Sequence, residues 1–525
     1  MKQFFLSLLI ISILAPIFAQ EKVDADINKV IRKHGLEQSQ VMEIAAWMTD
    51  VYGPRLTGSP MLDKAADWAV KTMKEWGMQN VHTEAWGPFG RGWELRQFFM
   101  HATTTTGSYF PVIAYPKAWS PAVKGIVSGD VIYLDAGSEE DLKKYKGTLK
   151  GKFVLLDTSR AVAEWMDAPA KRYTPEQLLE MANAPMPGSG LFRNFQGFNT
   201  GFTSALWNFI YEEKPLAVID RSFKGDLGTV FVTGARAKTG AARDKDAEVL
   251  PQVTMSVEHY NRIFRLLKRN MPVKLTMQLD AVYANPDGME RNIIAEIPGT
   301  DLKDEVVMFG AHFDSWHAGT GATDNAAGSA VMMETARILL QTIKETGIQP
   351  RRTLRIALWT GEEQGLLGSR AYAREHFAEG DTRSGVTGFK AEQEKVSAYY
   401  NLDNGTGKIR GIYLQGNPNV APIFRAWIDA FKDLEATTIT LSNTGGTDHQ
   451  AFDAVGIPGF QFIQDPIAYS TRTHHSNMDN WDHLVADDLR QAATIIASFV
   501  WHTAQRDEKL PRKDVKIETN ETGSR

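Results

Sequence analysis

Short polar segments that directly follow buried apolar runs constrain this chain more than any other feature. The apolar runs have the length and composition of buried strands and cover residues 306–310, 354–359 and 396–402. The polar residues that follow them are His312 and Asp314, the pair Glu362 and Glu363, and Asp403. Open α/β sheets place their functional residues at the carboxyl ends of strands. The three segments therefore predict one site at one edge of a sheet.

Two further segments add donors of the same kind. Asp324 lies in the sequence G-A-T-D-N-A-A-G, and His475 lies in T-H-H-S-N-M-D. Taken singly, Asp324 could cap the helix predicted at 326–343, Asp403 could be a turn residue, and the histidine pair could lie in a surface loop. Two histidines and five carboxylates at successive strand ends instead favour a metal site.

The local spacing of these residues suits metal chemistry. His312 and Asp314 are two apart on an extended segment, so both side chains point to one face, and a carboxylate there can orient a histidine ligand. Glu362 and Glu363 repel each other unless a cation or a proton intervenes. As neighbours they point in different directions, so one can bind metal while the other faces substrate.

Composition limits the partners and the kinds of ligand. The 525 residues carry 58 Lys and Arg against 63 Asp and Glu, a net charge of −5, so no basic field attracts nucleic acid or an anionic membrane. The chain has no cysteine, so its metal ligands must be His, Asp and Glu.

The first 19 residues have the pattern of a secretory signal peptide. Lys2 precedes an almost wholly apolar stretch, 4–18, and Ala19 offers a small residue for cleavage. A retained membrane anchor is the alternative. No other apolar run approaches membrane length, so we expect an exported protein, periplasmic or extracellular, that leaves the membrane once the signal is removed.

The texture of the chain predicts an α/β fold with a central, mostly parallel mixed sheet flanked by helices, interrupted by an inserted β-rich domain. Helical patterns cover 26–48 and, after Ser59-Pro60, 61–76. The insert covers 120–278, which leaves 20–119 and 279–505 as a discontinuous catalytic domain. Its candidate strands are 130–134, 153–157, 216–220 and 229–232. The sheet resumes at 292–297, and the charged tail 506–525 is predicted to be disordered.

A Gly/Phe-rich stretch within the insert, 185–204, is typical of a mobile lid over the site. Its aromatic residues are Phe192, Phe195, Phe198 and Phe202. The core of the insert and a homodimer contact are alternative places for these rings.

The ordered motifs resemble a known family. The series H-x-D, D-N, E-E, D and H-S is similar to that of the co-catalytic-zinc exopeptidases, which include bacterial leucyl aminopeptidases and glutamate carboxypeptidase II. The likeness extends to G-P-R-L-T-G-S from Gly53 and to R-T-L-R-I-A-L-W-T-G-E-E-Q-G from Arg352. It covers most of the chain, and the insert resembles the protease-associated domain of several members.

The resemblance implies roles for individual residues and two zinc ions per chain. His312 and Asp403 bind one zinc, Glu363 and His475 bind the other, and Asp324 bridges both. Glu362 is implied as the general base and Asp314 as the partner that orients His312. His474 occupies the place of an oxyanion-binding tyrosine, and Asp448 lies in a loop expected near the substrate. The resemblance also implies a cis bond between Asp324 and Asn325.

The function implied is an exopeptidase that hydrolyses terminal bonds of short peptides or dipeptides. Two ions of this kind lower the pKa of a shared water and polarise the scissile carbonyl. A mono-zinc acyltransferase similar to glutaminyl cyclase is the enzymatic alternative. A binding protein on the same fold, as in transferrin receptors, is the alternative from another class, although such proteins lose ligands that are all present here.

Overall fold

The computed structural model of the chain describes residues 21–187, 200–383 and 385–514. The predicted signal peptide lies outside them, as do Phe192, Phe195 and Phe198 of the predicted lid. Among the described residues, no helix combines the length and apolar character needed to cross a bilayer.

The described strands and helices alternate along most of the chain. The strands are β1 (Gln79–Trp86), β2 (Gly92–Thr104), β3 (Tyr109–Pro111), β4 (Ala114–Pro116), β5 (Ile126–Tyr133), β6 (Phe153–Leu155), β7 (Ala217–Arg221), β8 (Gln252–Met255), β9 (Val273–Ala284), β10 (Glu290–Ile297), β11 (Leu302–His312), β12 (Arg352–Trp359), β13 (Ala378–Asp381), β14 (Gly385–Phe389), β15 (Val396–Asn401), β16 (Ile409–Tyr413), β17 (Thr438–Thr440) and β18 (Gly459–Gln464). The helices are α1 (Ala25–Arg32), α2 (Val41–Ala46), α3 (Pro60–Glu75), α4 (Glu139–Lys143), α5 (Pro175–Ala182), α6 (Thr200–Glu213), α7 (Val257–Leu267), α8 (Ala327–Thr346), α9 (Leu367–His376), α10 (Ala421–Asp429), α11 (His449–Asp453) and α12 (Ala486–Gln505).

The first large sheet is mixed, with a parallel centre. Its strand order is β1-β10-β12-β11-β15-β18-β16-β17, and the four central strands from β12 to β18 run parallel. Helices α8 and α12 pack in the apolar core on one face, and α9 and α11 contribute to the core on the other. This arrangement confirms the predicted fold class, a mostly parallel mixed sheet covered by helices.

The second large sheet has the order β3-β2-β9-β5-β6-β7-β8-β4. Its strands run from Gly92 to Ala284, so the sheet extends beyond the predicted insert, 120–278, at both ends. The reason is that β2 pairs with β9 along almost its whole length and brings the preceding segment into the sheet. Whether this region folds as a separate domain of the protease-associated kind stays a prediction.

Local signals placed several elements correctly. Helix α3 begins at Pro60, and the Ser59 hydroxyl accepts a hydrogen bond from the backbone N–H of Leu62 at 3.3 Å, as the cap pattern predicted. The pattern at 26–48 is divided between α1 and α2, because the backbone leaves the helical conformation at Gln38.

The prediction of a disordered tail is wrong for residues 506–514. Leu510 is buried, and its backbone N–H donates to the Ser397 hydroxyl at 3.1 Å. The Arg512 guanidinium donates to the backbone carbonyls of Gln393 and Val396. Side-chain bonds to backbone hold this segment, and a composition poor in apolar residues does not reveal them. Residues 515–525 lie outside the described part.

Candidate metal centre

The predicted site residues meet at the carboxyl edge of the first sheet. His312 is the last residue of β11, Glu362 and Glu363 follow β12, and Asp403 follows β15. These three strands are parallel neighbours, so their carboxyl ends lie side by side. His475 arrives on the loop after β18, the next strand in the sheet.

His312 lies between two carboxylates. Its Nε2 atom is 3.3 Å from Asp324 Oδ1 and 3.3 Å from Asp403 Oδ1. Ligand atoms of these three residues all lie within 4.8 Å of one another, a separation that one metal ion can span. Burial lowers the pKa of His312, but the charges of Asp403 and Glu362 outweigh it and raise that pKa well above its ordinary value.

A second group of donors lies on the other side of Asp324. His475 Nε2 is 3.3 Å from Asp324 Oδ2 and 2.9 Å from Glu363 Oε2. Asp324 therefore presents one carboxylate oxygen to each histidine. A small cavity of about 10 Å³ adjoins this group and is lined by Trp316, Asp324, Glu363 and His475, among others.

The donor set fits a cation. Within the described structure, Asp324 Oδ2 and Glu363 Oε1 are buried without a hydrogen-bond partner. Burial raises the pKa of Glu362 and of Glu363 well above the ordinary value, and neighbouring carboxylates add to the rise in both. Buried polar atoms without partners are rare in proteins, and divalent cations satisfy carboxylate groups of this kind.

His474 and His475 stack with ring centroids 3.7 Å apart. His474 Nε2 is 3.8 Å from Asp324 Oδ2, farther than the corresponding nitrogen of His475, and 36% of its side chain is exposed. Burial lowers the pKa of His474 to about 4, so its imidazole is neutral at physiological pH. His475 is thus the nearer of the two histidines to Asp324, although ligand atoms of Asp324, His474 and His475 all lie within 4.8 Å of one another.

Two buried carboxylates hold the turns that carry the ligands. Asp314 accepts hydrogen bonds from the backbone N–H groups of Glu362 and Glu363, at 3.2 and 3.3 Å. Asp479 accepts from the backbone N–H groups of Thr323 and Asp324, at 2.6 and 3.0 Å. Each carboxylate thus fixes two successive amides beside a predicted ligand.

Asp314 contacts His312 through its backbone carbonyl oxygen, whereas a contact through its carboxylate was expected. His312 Nδ1 is 3.1 Å from the backbone carbonyl oxygen of Asp314 and 3.7 Å from its carboxylate Oδ1. The Thr57 hydroxyl donates to Asp314 Oδ2 at 2.7 Å. Sequence reasoning gave no role to Thr57 or Asp479, although both lie in quoted motifs, because a hydrogen bond to a group that is distant in the chain leaves no sequence signal.

Two other expectations concern neighbouring residues. The peptide bond between Asp324 and Asn325 is cis, as the resemblance implied. Asp448 is fully buried, which raises its pKa to about 7, and its charge interacts with those of His312 and Asp403.

Fold and donor set together define a candidate metal centre at the carboxyl edge of an α/β sheet. The model of peptidase family M28 matches residues 292–500, and with the donor set this match supports a metallopeptidase.

Similar proteins extend the likeness to almost the whole chain. Carboxypeptidase Q of Mus musculus is 25% identical over 505 residues, 94% of this chain and 91% of the relative. The crystal structure of a peptidase M28 precursor from Shewanella amazonensis is similar with a TM-score of 0.65 and 24% identity, covering 94% of this chain and 99% of that one. A zinc aminopeptidase from Bacillus subtilis gives 0.56 and 19%, covering 90% and 97%. The solved structures support the fold.

Proposed function

We propose that the chain is an exported exopeptidase that uses two zinc ions to hydrolyse terminal bonds of short peptides or dipeptides. The observation that carries the proposal is the position of Asp324 between two histidines. Its Oδ1 is 3.3 Å from His312 Nε2, and its Oδ2 is 3.3 Å from His475 Nε2. His312 and Asp403 complete one set of ligands, and Glu363 and His475 complete the other. The signal-like first 19 residues support export.

When bound, the zinc ions supply Lewis-acid polarisation of the scissile carbonyl and lower the pKa of the water that attacks it. Glu362 is the proposed general base. Its Oε2 lies 3.9 Å from His312 Nε2, and burial raises its pKa, which supports this role. A carboxylate with a raised pKa takes a proton from the attacking water and then gives it to the leaving amine.

His474 is the proposed donor to the developing oxyanion. Its neutral imidazole carries one N–H, and the ring lies against His475 on the more exposed side of the centre. Preorganised donors of this kind stabilise the transition state by roughly 3 kcal/mol. His474→Ala should therefore lower kcat by about 100-fold while the metal content stays unchanged.

The metal count tests the proposal against the cyclase alternative. We expect the purified chain to contain about two zinc ions by elemental analysis, because Asp324 presents an oxygen to each set of ligands. One ion per chain, with no activity gained on adding zinc, would contradict the two-ion mechanism and favour a mono-zinc acyltransferase.

Two neighbouring substitutions test the division of the glutamate pair. Glu362→Gln should lose turnover by several orders of magnitude and retain zinc, whereas Glu363→Gln should lose zinc. Products of a mixed peptide library, read by mass spectrometry with and without a chelator, would show which terminus is cleaved. A chain that binds both ions and cleaves no peptide would point to the non-catalytic alternative.

A further inference from the structure

The loop that delivers His475, here called the ligand loop and defined as residues 466–477, is held largely from outside its own sheet. One group of contacts comes from residues 169–171, in the chain between β6 and β7 of the second sheet. The backbone N–H of Lys171 donates to the carbonyl of Ile467 at 2.9 Å, and the Thr471 hydroxyl donates to the carbonyl of Pro169 at 2.9 Å.

A second group of contacts comes from residues 228–232, after β7. The backbone N–H of Val232 donates to the carbonyl oxygen of His475 itself at 3.0 Å. Asn477 pairs with Val230 in both directions: its backbone N–H donates to the Val230 carbonyl at 3.1 Å, and its Oδ1 accepts the Val230 N–H at 2.7 Å. Its Nδ2 donates to the carbonyl of Gly228 at 3.2 Å.

This pairing explains a departure from the sequence prediction. Residues 229–232 were expected to form a strand of the insert, yet Phe231 instead forms an isolated β-bridge with Ser476 of the ligand loop. The β-prone segment pairs with the loop that carries the metal ligand.

His475 needs such support, because its backbone is in the left-handed region with φ of 60°. This conformation costs a residue other than glycine roughly 1–2 kcal/mol, and it persists only where surrounding contacts fix it. The bond from Val232 reaches the carbonyl of His475, and Asn477 fixes the backbone two residues later.

We propose that Asn477 is a positioning residue through which the second sheet holds His475 in the geometry that binds metal. The inference rests on the proposed two-zinc function. If Asn477 has this role, the second sheet affects the affinity of the chain for one ion, the one that Glu363 and His475 would hold. His312 and Asp403, which would hold the other ion, lie outside the ligand loop.

Asn477→Ala tests the inference, because the partners of this side chain lie in the second sheet and the chain that connects its strands. The full-length variant, stripped of zinc, is titrated with zinc in competition with a chelator of known affinity. We expect a 10–100-fold loss of affinity for one ion and no change for the other, the range seen when residues that orient ligands are altered.

Asn261→Ala is the matched control. The Asn261 side chain also holds a backbone segment through two hydrogen bonds, with the N–H and carbonyl of Arg160, but it does not contact the ligand loop. Both variants should lose thermal stability, and only Asn477→Ala should lose affinity for an ion. An equal loss of affinity in both, or no loss in Asn477→Ala, overturns the inference.

Two further outcomes keep the test decisive. If Asn477→Ala does not unfold cooperatively, Thr471→Val replaces it. This change removes the bonds of the hydroxyl group to the carbonyl oxygens of Pro169 and Ala468, and a few-fold loss of affinity for the same ion is then expected. Unchanged affinity in Thr471→Val would then overturn the inference. If the unaltered chain itself binds fewer than two ions, the two-zinc function fails, which is distinguishable from a failure of the positioning role.

Discussion

Asp314→Asn should disturb the metal centre without removing a metal ligand. The Asp314 carboxylate accepts three hydrogen bonds, from the N–H groups of Glu362 and Glu363 and from the Thr57 hydroxyl. An asparagine has the same shape but only one acceptor oxygen, and its amide group donates. In either orientation of the amide, at least one buried backbone N–H of the glutamate turn faces another donor.

The size of the effect follows from these contacts. A hydrogen bond to a charged group contributes ~1.5–3 kcal/mol, and a buried donor left without a partner costs a similar amount. We therefore expect the free energy of unfolding of the zinc-free chain to fall by about 2–4 kcal/mol. Because the turn also sets the position of Glu362, turnover should fall by roughly 100-fold, the effect of misplacing a catalytic group by about 1 Å.

Denaturant unfolding of the zinc-free chain and peptide hydrolysis measure these two effects, and chelator competition measures zinc affinity. Thr57→Val removes one of the three donors and should give a smaller change of the same kind. Asp157→Asn is a control in the second sheet, where the carboxylate accepts the backbone N–H of Arg221 at 3.3 Å, and it should leave zinc affinity and turnover unchanged. Wild-type turnover in Asp314→Asn would refute the reasoning that this carboxylate sets the glutamate turn.

Three other predictions follow from buried and charged groups. The buried Arg55 guanidinium donates to four backbone carbonyls around the site, so Arg55→Met should lower the free energy of unfolding by roughly 4 kcal/mol, measured by denaturant titration. Burial raises the pKa of Glu362 and Glu363, so the folded zinc-free chain binds more protons than the unfolded chain. The free energy of unfolding of the zinc-free chain should therefore fall as the pH rises from about 4.5 through the raised pKa values. Melting curves recorded with saturating zinc should not show this dependence on pH. Burial lowers the pKa of His376, but the carboxylates of Glu84 and Glu392 outweigh it and raise that pKa above its ordinary value. This histidine therefore stabilises the fold below about pH 6.5, and the effect is lost as the pH rises through the raised pKa. His376→Ala should remove that slope, which we expect to be below about 1 kcal/mol because the partners are partly exposed.

The site residues that directly follow a strand could be predicted from the sequence. Apolar runs followed by His312, Glu363 and Asp403 indicated buried strands with ligands at their carboxyl ends, and the structure brings these ends together. The placement works because a short apolar run between polar residues has few alternatives to a central strand. His475 was selected over His474 by resemblance, and the distance of 2.9 Å to Glu363 agrees with that choice.

The sequence did not predict the contacts that depend on tertiary pairing. Asp479 fixes two amides of the Asp324 turn, more than 150 residues away in the chain, and no local pattern marks such a bond. The segment 229–232 has the composition of a strand, but its partner is a loop of the other sheet. Propensity identifies an extended segment, whereas the identity of its partner depends on how the two sheets pack.

The centre is supported from two directions, which explains why its ligands differ in exposure. On one side, the ends of β11 and β15 and the backbone carbonyl of Asp314 fix His312 within the first sheet, where 1% of its side chain is exposed. On the other side, His475 is on a loop that the second sheet holds, and 27% of its side chain is exposed. Both Trp316 and His475 line the cavity beside the centre, so the more exposed half of the centre is the half that adjoins it. One half of the centre is thus fixed by strand ends of the first sheet, and the position of the other depends on how the second sheet holds the ligand loop.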